Sequence, residues 1–126
     1  MLRLLLDIHI MPVVAAQILR IRPECPIESL LRWRNGTYRT ATDTEILEAA
    51  HRDATTLVTY DQRTIPLLLR NWAIRDRAHS GVIFVDGKTI RMDDVGGQVR
   101  SLTALWDAHQ EEDWTNMVHY LRASKA

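Results

Sequence analysis

Thr56-Leu57-Val58-Thr59-Tyr60-Asp61 is the stretch that decides the fold. Its first five residues are rich in β-branched side chains and favour a strand. An acid, Asp61, closes it. The same arrangement recurs at Leu2-Arg3-Leu4-Leu5-Leu6-Asp7, a short apolar run that reads as a buried strand and again ends in an acid. Between the two, Thr42-Asp43-Thr44-Glu45 has the form of a capping box. It opens a helix to about Asp53, with Ile46, Leu47 and Ala50 on one apolar face.

Working outward, Pro12 fits the first turn of a helix, where its missing N–H costs little. That helix carries Val13, Ala16, Ile18 and Leu19 and stops near Arg22-Pro23. Residues 27–34 suit either a short helix or a strand followed by a turn, and Asn35-Gly36 ends them. Pro66 is expected to start a helix to about Arg75 with Leu67, Leu68 and Trp72 facing inward. Gly81-Val82-Ile83-Phe84-Val85 is the third strand. Asp86-Gly87 is a hairpin-type turn signal, so Lys88 to Met92 could fold back as a short arm. A long helix from Asp93 or Asp94 to about Gln110 and a strand over 116–121 complete the chain. Strands alternating with helices imply βαβ units and a mainly parallel sheet in a three-layer α/β/α sandwich.

The 126 residues make one ordinary domain, and 46% hydrophobic residues suffice for a core. No apolar run is long enough to span a membrane. Met1 to Leu6 is too short for a signal-peptide core and carries Arg3. A soluble, cytoplasmic protein with no membrane partner is the expectation. The single Cys25 excludes an internal disulfide and a zinc ribbon. A formal net charge of zero argues against a protein that coats DNA but allows an enzyme meeting nucleic acid through a small cleft. The basic residues are nearly all Arg, which fits codon bias and is compatible with phosphate recognition.

The stretches Leu4-Leu5-Leu6-Asp7, Thr42-Asp43-Thr44-Glu45-Ile46-Leu47 with Ala49-Ala50, and Leu57-Val58-Thr59-Tyr60-Asp61 carry a resemblance. In order and spacing they resemble the PIN-like family, in particular small PIN-like proteins of the DUF5615 type. The Gly81-Val82-Ile83-Phe84 strand and the long final helix extend the resemblance over almost the whole chain. It implies a ribonuclease dependent on Mg²⁺ or Mn²⁺, with the toxin of a toxin–antitoxin pair as one role. RNA, an antitoxin protein and a second copy of the chain are the partners it implies. Asp7, Asp43 and Asp61 would be the catalytic, metal-binding acids. The fuller PIN pattern has a further acid before Asp43. Glu28 is the nearest candidate, in a poorly matched segment. The family often has an acid or Asn just after the first aspartate, where this chain has Ile8-His9.

The chemistry is consistent with the residue types. Open α/β sheets bind ligands at the carboxyl ends of their strands, and carboxylates gathered there suit a hard cation. Close carboxylates repel, so without a cation at least one should titrate high. His9 could orient a water or touch substrate. Arg32-Trp33-Arg34-Asn35-Gly36-Thr37-Tyr38-Arg39 combines three cations with two aromatics and no acid. That pairing grips single-stranded RNA elsewhere, which makes Arg32, Arg34, Tyr38 and Arg39 candidate substrate residues, with Arg63 beside Asp61. Each residue also has a plainer reading. Asp43 suits a first helical turn, Asp61 a turn, and Asp7 a cap or an ion pair. His9 also suits simple packing or hydrogen bonding, and 32–39 an exposed loop. Trp33, Trp72 and Trp106 suit core or interface positions. A catalytically weak PIN-like module that binds RNA or a protein is the alternative to a nuclease.

Overall fold

Short apolar runs can be satisfied only between two helical layers, and that is where the strands lie. The computed structural model describes residues 1–123. In chain order the elements are β1 (Leu4–Leu6), α1 (Pro12–Ile21), β2 (Ile27–Ser29), α2 (Asp43–Arg52), β3 (Thr56–Thr59), α3 (Thr64–Ile74), β4 (Val82–Val85), α4 (Val95–His109) and β5 (Val118–Leu121). A tight turn, Trp33–Gly36, follows β2. The sheet is wholly parallel, in the order β2-β1-β3-β4-β5.

Alternate residues of each strand feed two cores. Leu4, Leu6, Val58, Ile83 and Val85 pack with α1 and α4, including Val14, Ile18, Leu102 and Trp106. Leu5, Leu57, Val82 and Phe84 pack with α2 and α3, including Ile46, Ala50, Leu69 and Trp72. This is a three-layer α/β/α sandwich. The capping box at Thr42 and Glu45 forms as read. Asp94 caps α4 through Gly97 N–H (2.9 Å), and a Cβ on Gly97 would stand 2.3 Å from that carboxylate. A larger residue there would displace the Asp94 side chain from its cap.

The last connection differs from the others. Connections through α2 and α3 move across the sheet toward β5 and lie on one face. The α1 connection moves the opposite way on the opposite face, so these three share one hand. The β4–α4–β5 connection moves toward β5 on the face of α1, and so has the other hand. Crossovers in parallel sheets overwhelmingly share a single hand. One consequence is that the α2–α3 face of β5 has no helix over it. Val118 and Tyr120 are 42% and 55% exposed there.

Of the two readings of residues 27–34, the strand followed by a turn is the one that forms. Other local expectations are corrected. The third helix starts at Thr64, with Pro66 inside its first turn, and Leu67 points outward at 63% exposure. The 88–92 segment is not a returning arm: the strand beside β4 is β5, and Ile90 is buried in the α1–α4 core. All four tryptophans are buried, so of the core and interface positions read for Trp33, Trp72 and Trp106 the core is the one they take. No helix among the described residues is long and apolar enough to cross a membrane.

Candidate active site

The sheet order reverses between β1 and β3: from β1 the chain goes first to one neighbour and later to the other. In open α/β sheets the crevice at such a point is where ligands bind. Asp7 is the first residue past β1, and Asp61 stands two past β3. Asp43 is the first residue of α2. Both α2 and α3 begin at this end of the sheet, so their positive dipole ends face the acids.

Asp7 is buried and held on both oxygens. Its Oδ1 accepts from Ile8 N–H at 2.7 Å, and its Oδ2 accepts from the Thr59 hydroxyl at 2.6 Å. The same hydroxyl accepts from Asp61 N–H at 3.0 Å. Thr59 thus ties Asp7 to Asp61. Nothing in the sequence beyond a Thr at a strand end marked that role. Asp61 Oδ1 accepts from the N–H groups of Arg63 (2.9 Å) and Thr64 (2.8 Å), which organises the start of α3.

The three acids sense one another unequally. Burial, then the charges of Asp7 and Asp61, push the Asp43 carboxyl above its ordinary range, and nearby His9 opposes this. No hydrogen bond to the Asp43 side chain offsets the repulsion among the described residues. For Asp61, burial also works upward, but the N–H groups of Thr64 and Arg63 and the Arg63 charge outweigh it, and the carboxyl titrates low. The repulsion therefore falls on the member without donors.

His9 is exposed and lines a cleft of about 550 Å³ with Tyr60, Asp61, Arg63 and Met92. His9 and Arg63 are thus beside the acids. Arg34 of the 32–39 segment is not gathered there. Arg34 lies with φ +52°, and its guanidinium is bound to Asp53 at 2.7 Å. Asp53 ends α2, at the opposite end of the sheet from Asp7. Arg39 donates to Leu31 C=O at 2.8 Å, Tyr38 packs on buried Trp33 with ring centroids 5.1 Å apart, and Arg32 is exposed. Glu28 is exposed in the middle of β2, paired in register with Leu5, and lines a groove with Arg3 and Trp33. It is not among the charges acting on Asp43. A hollow of about 530 Å³ lined by Arg70, Ala73, His79 and Val118 lies at the amino ends of the strands, away from the acids.

The donor set is all hard oxygen, which fits Mg²⁺ or Mn²⁺ rather than a soft metal. Among the described residues no three His, Cys, Asp or Glu side chains are gathered as a direct ligand cage. Mg²⁺ seldom uses such a cage: it keeps several waters and takes one or two carboxylates plus substrate phosphate. Asp43 and Asp61 could bind directly, and Asp7, already held on both oxygens, through water. Cys25 is no competitor as a nucleophile. Burial, then Glu24 and Asp107, push its thiol to about 12, so it stays protonated. Compared with family models, with curated proteins and with solved structures, the chain matches none.

Proposed function

We propose that the chain is a metal-dependent endoribonuclease that hydrolyses RNA phosphodiester bonds at Asp7, Asp43 and Asp61. One observation supports this reading: Asp7, Asp43 and Asp61 stand at the switch-point end of a parallel sheet, where burial and then the charges of Asp7 and Asp61 push the Asp43 carboxyl up. Carboxylates this close are relieved either by a proton on one of them or by a cation that joins them. When bound, Mg²⁺ or Mn²⁺ supplies a Lewis acid for the phosphoryl oxygen and lowers the pKa of water.

The side chains have separate tasks in this scheme. Asp43, pushed up by burial and by its acidic neighbours and given no hydrogen-bond donor among the described residues, is the acid whose energy changes most when a cation arrives. Asp7 is fixed by Thr59 and Ile8 N–H, so it presents an aimed acceptor without rotamer freedom. Asp61 keeps its charge because α3 donates to it. His9 and Arg63 border the cleft and can meet the scissile phosphate. The toxin role and an antitoxin partner rest on the PIN-like resemblance alone. A specific feature favours the second reading, a weak or inactive PIN-like module that binds RNA or a protein: both Asp7 oxygens are already occupied.

The test is cleavage of end-labelled single-stranded RNA with Mn²⁺, Mg²⁺ or EDTA, with Asp7→Asn and Asp61→Asn beside the wild type. Metal-dependent cutting lost in both variants supports the nuclease. Metal-dependent RNA binding with no cutting supports the binding module.

A further inference from the structure

We propose that a single-stranded polynucleotide leaves the acid cluster along the carboxyl edge of the sheet, over Gln62 and onto Tyr120, Lys88 and Arg122. This deepens the nuclease reading and rests on it. The cleft holding His9, Asp61 and Arg63 shares Gln62 with a second hollow of about 600 Å³, lined by Asp86, Gly87, Lys88, Tyr120 and Arg122. Gln62 on the wall of both makes them neighbours at the carboxyl ends of β3, β4 and β5. Neighbouring strands lie about 4.8 Å apart, so Asp61 and the end of β5 are separated by on the order of 10 Å.

The path has the chemistry of a sequence-tolerant grip on a single strand, cations for phosphate and an aromatic face for a base. Arg63, Lys88 and Arg122 enter no ion pair among the described residues. The one acid of the second hollow, Asp86, is occupied by its own turn: it accepts from Lys88 N–H at 3.0 Å and from the Thr89 hydroxyl at 3.4 Å. Tyr120 stacks on buried Phe84, with centroids 5.5 Å apart and planes 26° from parallel. A ring stacked on its inner side and 55% exposed presents its outer face to solvent. That face is open because α4 crosses on the other side of the sheet. The 32–39 segment offers no such platform, since Trp33 is in the core and Arg34 is paired.

The test is anisotropy of a labelled single-stranded RNA of about 12 nucleotides, within the range such grooves bind. Ca²⁺ replaces Mg²⁺ to slow cutting, and Mg²⁺-dependent cleavage by the wild type is followed in parallel. Tyr120→Ala is expected to weaken binding about tenfold and Tyr120→Phe to restore it. The double variant Lys88→Gln/Arg122→Gln is expected to flatten the slope of log affinity against log salt by about 1.4. A wild type that cuts RNA, with variants that bind as tightly and with the same salt slope, overturns the path and leaves the nuclease reading standing. Cutting without saturable binding also overturns the path. A wild type that neither binds nor cuts removes both.

Discussion

At the amino edge of the sheet, charges meet their opposites; at the carboxyl edge, like charges are gathered. Arg3 and Arg34 pair with Asp53, Arg22 with Asp107, Arg77 with Glu48, and His109 with Glu112 around the amino edge. At the carboxyl edge the described pair is Arg91–Asp93, both largely exposed. Asp7, Asp43 and Asp61 sit there without an ion pair among the described residues, and the repulsion falls on Asp43. Pairing at a surface adds little stability, so the first edge is simply quiet. An edge that keeps like charges close sacrifices stability, and functional sites are where such arrangements concentrate.

The difference can be attacked from both edges. The largest effect belongs to the acids: Asp7→Asn removes the charge and keeps an acceptor for Ile8 N–H, while its amide N–H meets the Thr59 oxygen as a donor and reverses that bond. Metal-dependent RNA cleavage should fall by at least about 100-fold while urea denaturation changes little. Wild-type rates in this variant would break the functional half of the comparison. Next comes a purely structural lesion at the amino edge. Gly81 has φ +96°, and a Cβ there would lie 2.8 Å from Trp114 C=O. Gly81→Ala should cost about 2 kcal/mol in urea unfolding and leave divalent-ion affinity unchanged. A lost ion affinity would show that the two edges are not independent.

A smaller effect separates the two candidate RNA surfaces. Arg34→Gln removes a half-exposed ion pair, so it should cost under about 1 kcal/mol and leave RNA affinity as it was. A large loss of RNA binding would return the 32–39 segment to the substrate surface. The smallest concerns Asp43. Its folded pKa is raised above the unfolded one, so the native state binds the extra proton, and stability declines as pH rises from the unfolded value through the folded one. Above that window the ionised group destabilises the fold. Asp43→Asn should therefore raise the melting temperature at neutral pH, by on the order of 2 °C, and remove this part of the pH dependence. A lower melting temperature would mean that Asp43 is compensated after all.

The sequence carried those parts of the fold that depend on near neighbours. Leu4-Leu5-Leu6 and Leu57-Val58-Thr59 can only be buried strands, and the Thr42–Glu45 box announces its helix four residues at a time. The alternation of strand and helix then implied the parallel three-layer sheet. What stayed hidden depends on distant partners. The face that receives α4 is decided by where its apolar stripe lands, and with it the hand of the last crossover and the exposure of Tyr120. Arg34 reads as free in a run without acids, because Asp53 lies nineteen residues away. Thr59 looks like any strand threonine until β1 brings Asp7 beside it. Leu67 fits an inward helical position by spacing alone, and only the orientation of α3 on the sheet turns it out.

The most direct test of the account is a calorimetric titration of the protein with Mn²⁺, comparing the wild type with Asp7→Asn, Asp43→Asn and Asp61→Asn. One saturable site in the wild type, weakened at least about tenfold in each variant, is the expected result. No binding, or the same binding in all four proteins, would contradict the claim that these three carboxylates act together on one cation.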